Sequence, residues 1–270
     1  MGKRTSYEPG TFSWIELSTT DTEGAKQFYG KLFGWESEDN PIPADAGGGV
    51  YTMLRLDGET VAALYEQMKD QRDAGIPPNW LSYITVADAD ATSARAKELG
   101  GSIHAGPFDV MTQGRMAVIA DPTGAVFGVW QARDSIGATL VNDPGCLTMN
   151  ELSTNDPDAA ATFYSDLFGW NVEALDTQGA PPYWSIRHEG AAGGLNGGMR
   201  ELAPEQSGAG VPPHWMPYFT VASMDEAIAT TQGAGGTLHA GPIEIPAGRI
   251  AVLSDPQGAF FAIFEGEVDD

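Results

Sequence analysis

The octapeptide "FYGKLFGW" at residues 28–35 returns almost unchanged as "FYSDLFGW" at residues 163–170. The similarity extends well beyond the eight residues. Residues 12–35 match residues 147–170 at 12 of 24 positions, and residues 77–107 match residues 212–242 at 15 of 31 positions. A repeat of this length predicts a tandem duplication. We expect one domain at 1–134, a second at 135–270, and a joint near 132–146.

Each octapeptide has the pattern of a buried helix that stops at a glycine. In the first copy the apolar positions are Ala25, Phe28, Tyr29, Leu32 and Phe33. Their spacing places them on one helix face, which favours a structural role for the octapeptide over a chemical one. Asp21 is a plausible N-cap, and Gly34 fits a left-handed stop. Asp156 and Gly169 repeat both signals.

The rest of each half reads as alternating strands and helices. The segment "FSWIELSTT" at residues 12–20 is rich in β-branched and aromatic residues, as strands are. In the first half we predict further strands around 50–57 and 60–67, a second strand and helix at 80–100, and strands near 102–105, 115–120 and 125–131. Each half therefore contains two strand–helix–three-strand units, and the whole chain contains four.

Composition excludes several classes of partner. The 270 residues include 42% hydrophobic side chains, and 37 acidic against 14 basic residues give a net charge of -23. Such a charge repels nucleic acid and anionic membranes and attracts cationic ligands. Cys146 is the only cysteine, and neither a secretion signal nor a membrane span is visible. We expect a soluble, cytoplasmic protein, as a monomer or homodimer, whose partner is a small molecule.

The order of these motifs resembles the vicinal oxygen chelate superfamily. An opening strand, an aspartate, the "FYxxLFGW" helix end and a closing "DPxGxxF" strand occur once per half. The superfamily includes glyoxalases, extradiol dioxygenases and bleomycin-resistance proteins, and the chain is most similar to duplicated actinobacterial glyoxalase-like or "hydroxylase" proteins. The resemblance implies an α+β fold in which four βαβββ units form two cup-shaped mixed β-sheets with the helices packed outside. Whether each cup forms within a half or by exchange of units is left open.

The resemblance also implies where a metal would bind. The corresponding positions in this chain are Trp14, Met149, Leu81, Met216, Gly128 and Ala262. These side chains offer no imidazole or carboxylate, which divalent metals require. We therefore expect no metal ligands and no cofactor.

Strand alternation indicates which side chains face each cup. Glu16 and Glu151 are predicted to face inward, and a carboxylate in an apolar cup is a candidate general base or an anchor for a cationic ligand. The predicted ligand-binding residues are Trp14, Met149, Trp80, Tyr83, Trp130, Trp215, Tyr218, Phe264, Arg115 and Arg249, with Trp80 and Trp215 at the rim. In an alternative structural interpretation, each glutamate pairs with a nearby cation, such as Arg115 or Arg249.

Three functions are compatible with these residues. The first is a metal-free catalyst, such as a lyase, isomerase or hydroxylase, acting on a small carbonyl or aromatic metabolite. The second is a non-catalytic protein of the bleomycin-resistance kind that sequesters a hydrophobic or cationic antibiotic. The third is a scaffold with filled cups. Metal-dependent oxygenation is disfavoured, and the sequence does not identify the ligand or decide whether both cups function.

Overall fold

The computed structural model describes residues 2–44, 48–177, 179, 181–191 and 194–268. The elements of the first half are β1 (Phe12–Thr19), α1 (Thr22–Phe33), β2 (Glu36–Pro41), β3 (Val50–Leu56), β4 (Glu59–Glu66), α2 (Lys69–Asp73), β5 (Asn79–Thr85), α3 (Ala89–Glu98), β6 (Ser102–Val110), β7 (Gly114–Ala120) and β8 (Val126–Ala132). Those of the second half are β9 (Leu147–Thr154), α4 (Pro157–Phe168), β10 (Asn171–Ala174), β11 (Tyr183–Arg187), β12 (Leu195–Glu201), α5 (Pro204–Gly208), β13 (His214–Thr220), α6 (Met224–Gly233), β14 (Thr237–Ile245), β15 (Gly248–Ser254) and β16 (Phe260–Gly266). Within the described ranges, none of these helices has the length and apolarity needed to span a membrane.

Each half forms its own eight-stranded mixed sheet. The strand order is β2-β3-β4-β1-β5-β8-β7-β6 in the first half, and the second half repeats it as β10-β11-β12-β9-β13-β16-β15-β14. The central pair β1 and β5 is antiparallel, whereas β4 runs parallel to β1 and β8 runs parallel to β5. The predicted α+β fold of four βαβββ units is confirmed. The sheet of each cup belongs to a single half, which decides the question left open by the sequence.

The octapeptide helix α1 begins and ends as its sequence predicts. The Asp21 side chain accepts a hydrogen bond from the backbone N–H of Gly24, and Gly34 ends the helix at φ 75°. Helix α4 repeats this arrangement with Asp156 and with Gly169 at φ 72°. Glycine adopts a left-handed backbone conformation at little energetic cost, because it has no Cβ. The apolar positions Ala25, Phe28, Tyr29 and Phe33 are buried.

The face of α1 packs against the opposite half of the chain as well as its own. Phe28 and Phe33 share one core with Phe219 and Phe261 from the second half. The Tyr29 hydroxyl donates to a carboxylate oxygen of Asp255 at 3.1 Å, and Asp255 opens the motif "DPQG". In the reciprocal core, α4 packs with strands of the first half. The two halves therefore share both cores on the outer, convex side of the sheets.

Alternation along β1 separates the convex core from the cup. Ile15 and Leu17 are fully buried in the convex core. Trp14 points to the other side and clusters with Tyr83 and Trp130. In the second half, Leu152 joins the convex core, and Met149 packs with Tyr218 and Phe264. The predicted orientation of both strands is confirmed.

The joint between the halves closes one side of the first cup. Ala138 and Val141 pack against the cluster of Trp14, Tyr83 and Trp130, and the Trp130 indole N–H donates to the Ser135 carbonyl at 2.9 Å. In the second half the comparable cluster packs against Val268 instead. The two cups therefore differ in what covers them.

Candidate functional site

The first cup is built around Glu16, and we define it by Trp14, Glu16, Tyr51, Tyr65, Tyr83 and Trp130. The Tyr83 hydroxyl donates to Glu16 Oε1 at 2.6 Å, and the Tyr51 hydroxyl donates to Oε2 at 2.8 Å. The Trp14 indole N–H donates to the Tyr51 oxygen at 3.1 Å. One carboxyl group is thus held between two phenols that come from β3 and β5.

The surroundings of Glu16 alter its acidity. Burial raises the pKa of the Glu16 carboxyl, and the hydrogen bonds from Tyr83 and Tyr51 oppose this rise. Burial and the nearby Glu16 charge also raise the pKa of both tyrosines, so the phenols remain donors. Glu16 is only partly buried and borders the open cavity. A carboxyl group with a raised pKa in a cavity can accept a proton or a hydrogen bond from a ligand.

The second cup contains an arginine beside its glutamate. We define it by Met149, Glu151, Tyr183, Arg200, Tyr218 and Phe264. Arg200 Nε donates to Glu151 Oε1 at 3.1 Å, and the Glu151 side chain is 6% exposed. Burial raises the pKa of Glu151, and Arg200 together with the hydroxyls of Tyr183 and Tyr218 opposes the rise. The second cup therefore carries an internal ion pair.

One sheet position accounts for this difference between the cups. Tyr65 on β4 pairs with Ser18, and Arg200 on β12 pairs with Ser153 in the same register. Arg200 Nη1 also donates to Gln206 Oε1 at 2.9 Å, and Gln206 lies on the short helix α5. The equivalent Gln71 on α2 interacts with the Tyr65 hydroxyl.

The predicted site residues divide into those that border the cavity and those that do not. Both cups open into one continuous depression of about 2950 Å³. The predicted cup residues that border it are Glu16, Glu151, Met149, Tyr83, Tyr218 and Phe264. Trp14 and Trp130 lie behind this surface, 8% and 9% exposed, in the wall that the joint covers.

Trp80 and Trp215 border the depression, in keeping with their predicted rim position, but their side chains do not face the cups. Their indoles are buried in the convex cores. The Trp80 N–H donates to Tyr29, and the Trp215 N–H donates to Tyr164 at 2.8 Å. Residues three apart on a strand face opposite sides, so Trp80 cannot share the cup with Tyr83.

The two predicted arginines also lie away from the cups. Arg115 pairs with Asp90 at 2.6 Å and with Asp109 at 2.8 Å. Arg249 pairs with Glu265 at 2.8 Å and with Asp225 at 3.4 Å. In the alternative interpretation each glutamate pairs with a nearby cation, and Arg115 and Arg249 are not those cations, because acidic side chains near the strand ends hold both guanidinium groups. Glu151 does pair with a cation, Arg200.

Sequence reasoning missed Tyr51, Tyr65, Tyr183 and Arg200. The duplication contains a signal for Tyr51 and Tyr183, since "YTMLR" at 51–55 corresponds to "YWSIR" at 183–187. This match lies outside the offset of 135 that aligns the other motifs. Arg200 has no such signal, because its counterpart in the first half is a tyrosine.

The side chains of the cups do not suit the metal that the fold family implies. The floor of each cup offers one carboxylate and two phenols, and the first-strand positions implied as ligands hold Trp14 and Met149. Within the described ranges, no group of three or more His, Cys, Asp or Glu side chains could hold a metal ion. Imidazole is missing from this donor set, so we derive no chemical step through a metal.

These features agree with comparisons to known proteins. Residues 11–129 match the family model of the Glyoxalase/Bleomycin resistance protein/Dioxygenase superfamily, and residues 147–264 match that of the Glyoxalase-like domain. The chain belongs to this superfamily, known also as the vicinal oxygen chelate superfamily.

The chain is similar in sequence to other proteins over nearly its whole length, and similar in fold to solved structures. The chain is 44% identical over 266 residues to "Putative glyoxylase CFP32" of Mycobacterium tuberculosis (strain CDC 1551 / Oshkosh), covering 98% of each chain. It is 35% identical to "Anthracycline biosynthesis protein DauV" of Streptomyces sp. (strain C5), covering 97% of this chain and 95% of that one. The fold is similar to the Mn(II)-bound glyoxalase from Novosphingobium aromaticivorans, with a TM-score of 0.65, 16% identity, and coverage of 98% and 85%.

Proposed function

We propose that this protein binds a small oxygenated aromatic or carbonyl compound in its first cup, without a metal ion, through Glu16. The observation that carries the proposal is the Glu16 carboxyl, held between the hydroxyls of Tyr51 and Tyr83 at the surface of the cavity. Apolar walls with a few fixed polar groups are typical of small-molecule sites. A carboxylate has about four acceptor positions, so Glu16 retains capacity for a ligand hydroxyl.

The relatives support the aromatic part of this proposal. The 35% identical Streptomyces protein is named for anthracycline biosynthesis, and its similarity extends over both halves of the chain. The Tyr51 and Tyr65 rings stack with their centroids 6.5 Å apart, and both residues border the cavity, where aromatic side chains favour contact with an aromatic ligand. Binding without turnover is the sequestering function, and it needs nothing beyond this cup.

A second candidate function, proton transfer, is favoured by the second cup. There Glu151 has a raised pKa and Arg200 lies beside it. In this reaction Glu151 removes a proton from the carbon next to a ligand carbonyl. The C–H electron pair becomes the double bond of an enolate, and the negative charge on oxygen is stabilised by Arg200. Return of the proton to the same carbon exchanges its hydrogen, and in a ligand whose carbonyl is conjugated to a carbon–carbon double bond, return to the far end of the resulting dienolate completes an isomerisation.

The binding proposal is tested with 6-hydroxy-2-acetonaphthone, a neutral aromatic ketone with one hydroxyl group. We expect protein kept in EDTA to bind it, and Glu16→Gln to weaken binding about tenfold, because a hydrogen bond to a charged acceptor is lost. Glu98→Gln on the exposed surface of α3 removes the same charge and serves as the control. Equal affinity in all three proteins would refute the role of Glu16.

The same compound tests proton transfer. Its acetyl methyl protons are next to the carbonyl, so exchange for deuterium in D2O can be followed by NMR. We expect the wild-type protein to accelerate exchange and Glu151→Gln to remove the acceleration while Glu16→Gln leaves part of it. Binding without accelerated exchange would leave sequestration as the function.

A further inference from the structure

We propose that the first cup is a receptor for an aromatic ammonium compound, and that Arg200 is a built-in cation that closes the second cup to the same ligand. This inference rests on the proposed function, in which the first cup binds aromatic small molecules. It adds that the ligand carries a positive charge and that Arg200 restricts this ligand to the first cup.

The first cup has a carboxyl group without a cation beside it. The hydrogen-bond partners of Glu16 are the neutral phenols of Tyr51 and Tyr83, and no ion pair involves Glu16 within the described part of the chain. Among the described residues of the first half, three cationic side chains border the depression, and each has another acidic partner: Lys26 pairs with Asp39, Lys69 with Asp73 and Arg72 with Glu66. A carboxylate with aromatic faces around it suits an ammonium group by charge-assisted hydrogen bonding and cation–π contact.

The second cup has the same carboxyl group, and the cation is already present. Arg200 Nε lies 3.1 Å from Glu151, and Nη1 is fixed by Gln206 Oε1 at 2.9 Å. Arg200 starts from the strand position that Tyr65 occupies in the first half. Its guanidinium group therefore takes the place beside the glutamate where an ammonium group is expected in the first cup.

Repulsion between like charges explains why a cationic ligand is excluded from the second cup. A ligand cation entering the second cup would approach Arg200 and find the Glu151 charge already compensated. In the first cup the aromatic Tyr65 leaves the carboxyl group uncompensated and adds a ring face. The overall charge of -23 draws cations towards both cups alike, so selection between the cups must come from this local difference.

The test is a calorimetric titration with two matched compounds, 2-naphthylmethylamine and the neutral 2-naphthylmethanol. We expect the wild-type protein to bind one equivalent of the amine at least tenfold more tightly than the alcohol. Glu16→Gln should remove this preference, whereas the surface control Glu98→Gln should retain it. Tyr65→Arg should abolish the amine site and leave the fold intact by circular dichroism.

The reciprocal variant gives the sharpest outcome. Arg200→Tyr should create a second amine site, so that two equivalents bind, and Arg200→Gln provides the same test if the tyrosine variant fails to fold. One equivalent in both folded Arg200 variants would overturn the inference. An equal affinity for amine and alcohol in the wild type would overturn it while leaving the proposed function in place. Failure of both compounds to bind would also overturn the inference, and it would refute the proposed function only if 6-hydroxy-2-acetonaphthone fails to bind as well.

Discussion

Glu16 combines two opposing influences at a single residue. The aromatic cup and the burial of the carboxyl raise its pKa, and two phenol donors at 2.6 and 2.8 Å stabilise the ionised form. The balance leaves a carboxyl group that is harder to ionise than a free one but remains a good acceptor. This is the property that a ligand-anchoring or proton-accepting group needs.

The raised pKa predicts how stability depends on pH. As pH rises through the ordinary range of a glutamate, the unfolded chain releases this proton before the folded chain does, so the folded state loses stability. The Glu16→Gln variant has no titrating carboxyl group at this position and therefore does not lose this stability. We expect urea unfolding to show the variant gaining stability relative to wild type between the ordinary pKa and the raised one, and a constant difference above it.

The control for this prediction is the exposed Glu98→Gln. Two outcomes would contradict the raised pKa of Glu16. Either the difference in unfolding free energy between Glu16→Gln and wild type stays constant from pH 4 to pH 8, or wild type becomes the more stable of the two as pH rises.

Single residues of the site could be predicted only in part. The duplication and strand alternation identified Glu16 and Glu151 as cup residues, because both lie in well-matched strands. Arg200 could not be predicted, since its partner Glu151 is 49 positions away and its counterpart is Tyr65. The two predicted arginines pair with acidic side chains other than the cup glutamates, as Arg115 does with Asp109.

At the scale of elements, alternation along the strands determines what each cup contains. Gly128 on β8 shows how close the fit is, because a Cβ built there would lie 2.2 Å from the ring of Tyr83. With the Tyr83 ring in its present place, residue 128 has no room for a Cβ. In the second half, Ala262 is paired with Tyr218 in the same register, so the second cup accommodates a methyl group at this position.

This close approach predicts a coupled effect of Gly128→Ala. We expect the variant to lose about 1–3 kcal/mol of unfolding free energy, because the added methyl group overpacks the cup. We also expect it to weaken ligand binding, because the Tyr83 ring must move away from Glu16. Denaturant unfolding and calorimetric titration measure the two effects.

The matched variant is Ala262→Gly in the second cup, which removes a methyl group at the equivalent position. It should leave binding in the first cup unchanged. Wild-type affinity in Gly128→Ala would show that the position of Tyr83 does not matter for the ligand.

The helices could be predicted from the sequence better than the segments against which they pack. Helix spacing and capping residues indicated α1 and α4 correctly, because these signals are local in sequence. The contact between Tyr29 and Asp255 is not local, and the sequence carries no direct signal that α1 packs on the opposite half. The burial of the Trp80 indole in the convex core follows from alternation along β5, since residues 80 and 83 face opposite sides of the sheet.

At the scale of the whole molecule, the repeated octapeptide joins the two halves. Each copy supplies a helix face to a core shared with the other half, and the indole N–H groups that end the copies reach across as well. Trp35 donates to the Gly145 carbonyl, and Trp170 donates to the Gly10 carbonyl, both at 2.7 Å. The cups are formed within the halves, whereas the convex cores depend on both.

Shared cores predict that the chain unfolds as one cooperative unit. We expect scanning calorimetry to show a single transition with equal calorimetric and van't Hoff enthalpies. Phe33→Ala should lower its midpoint without splitting it, because the removed ring contacts Phe219 and Phe261 of the second half. Two resolved transitions in the wild-type protein would contradict the sharing of cores between the halves.

The central claim is that the first cup binds its ligand without a metal ion. It is tested most directly by measuring the affinity for 6-hydroxy-2-acetonaphthone in EDTA and again after incubation with Mn(II), Fe(II) or Zn(II) and gel filtration. We expect the same dissociation constant in every sample and no retained metal. Binding that appears only in a metal-loaded sample, with a stoichiometric amount of metal retained by the protein, would contradict it.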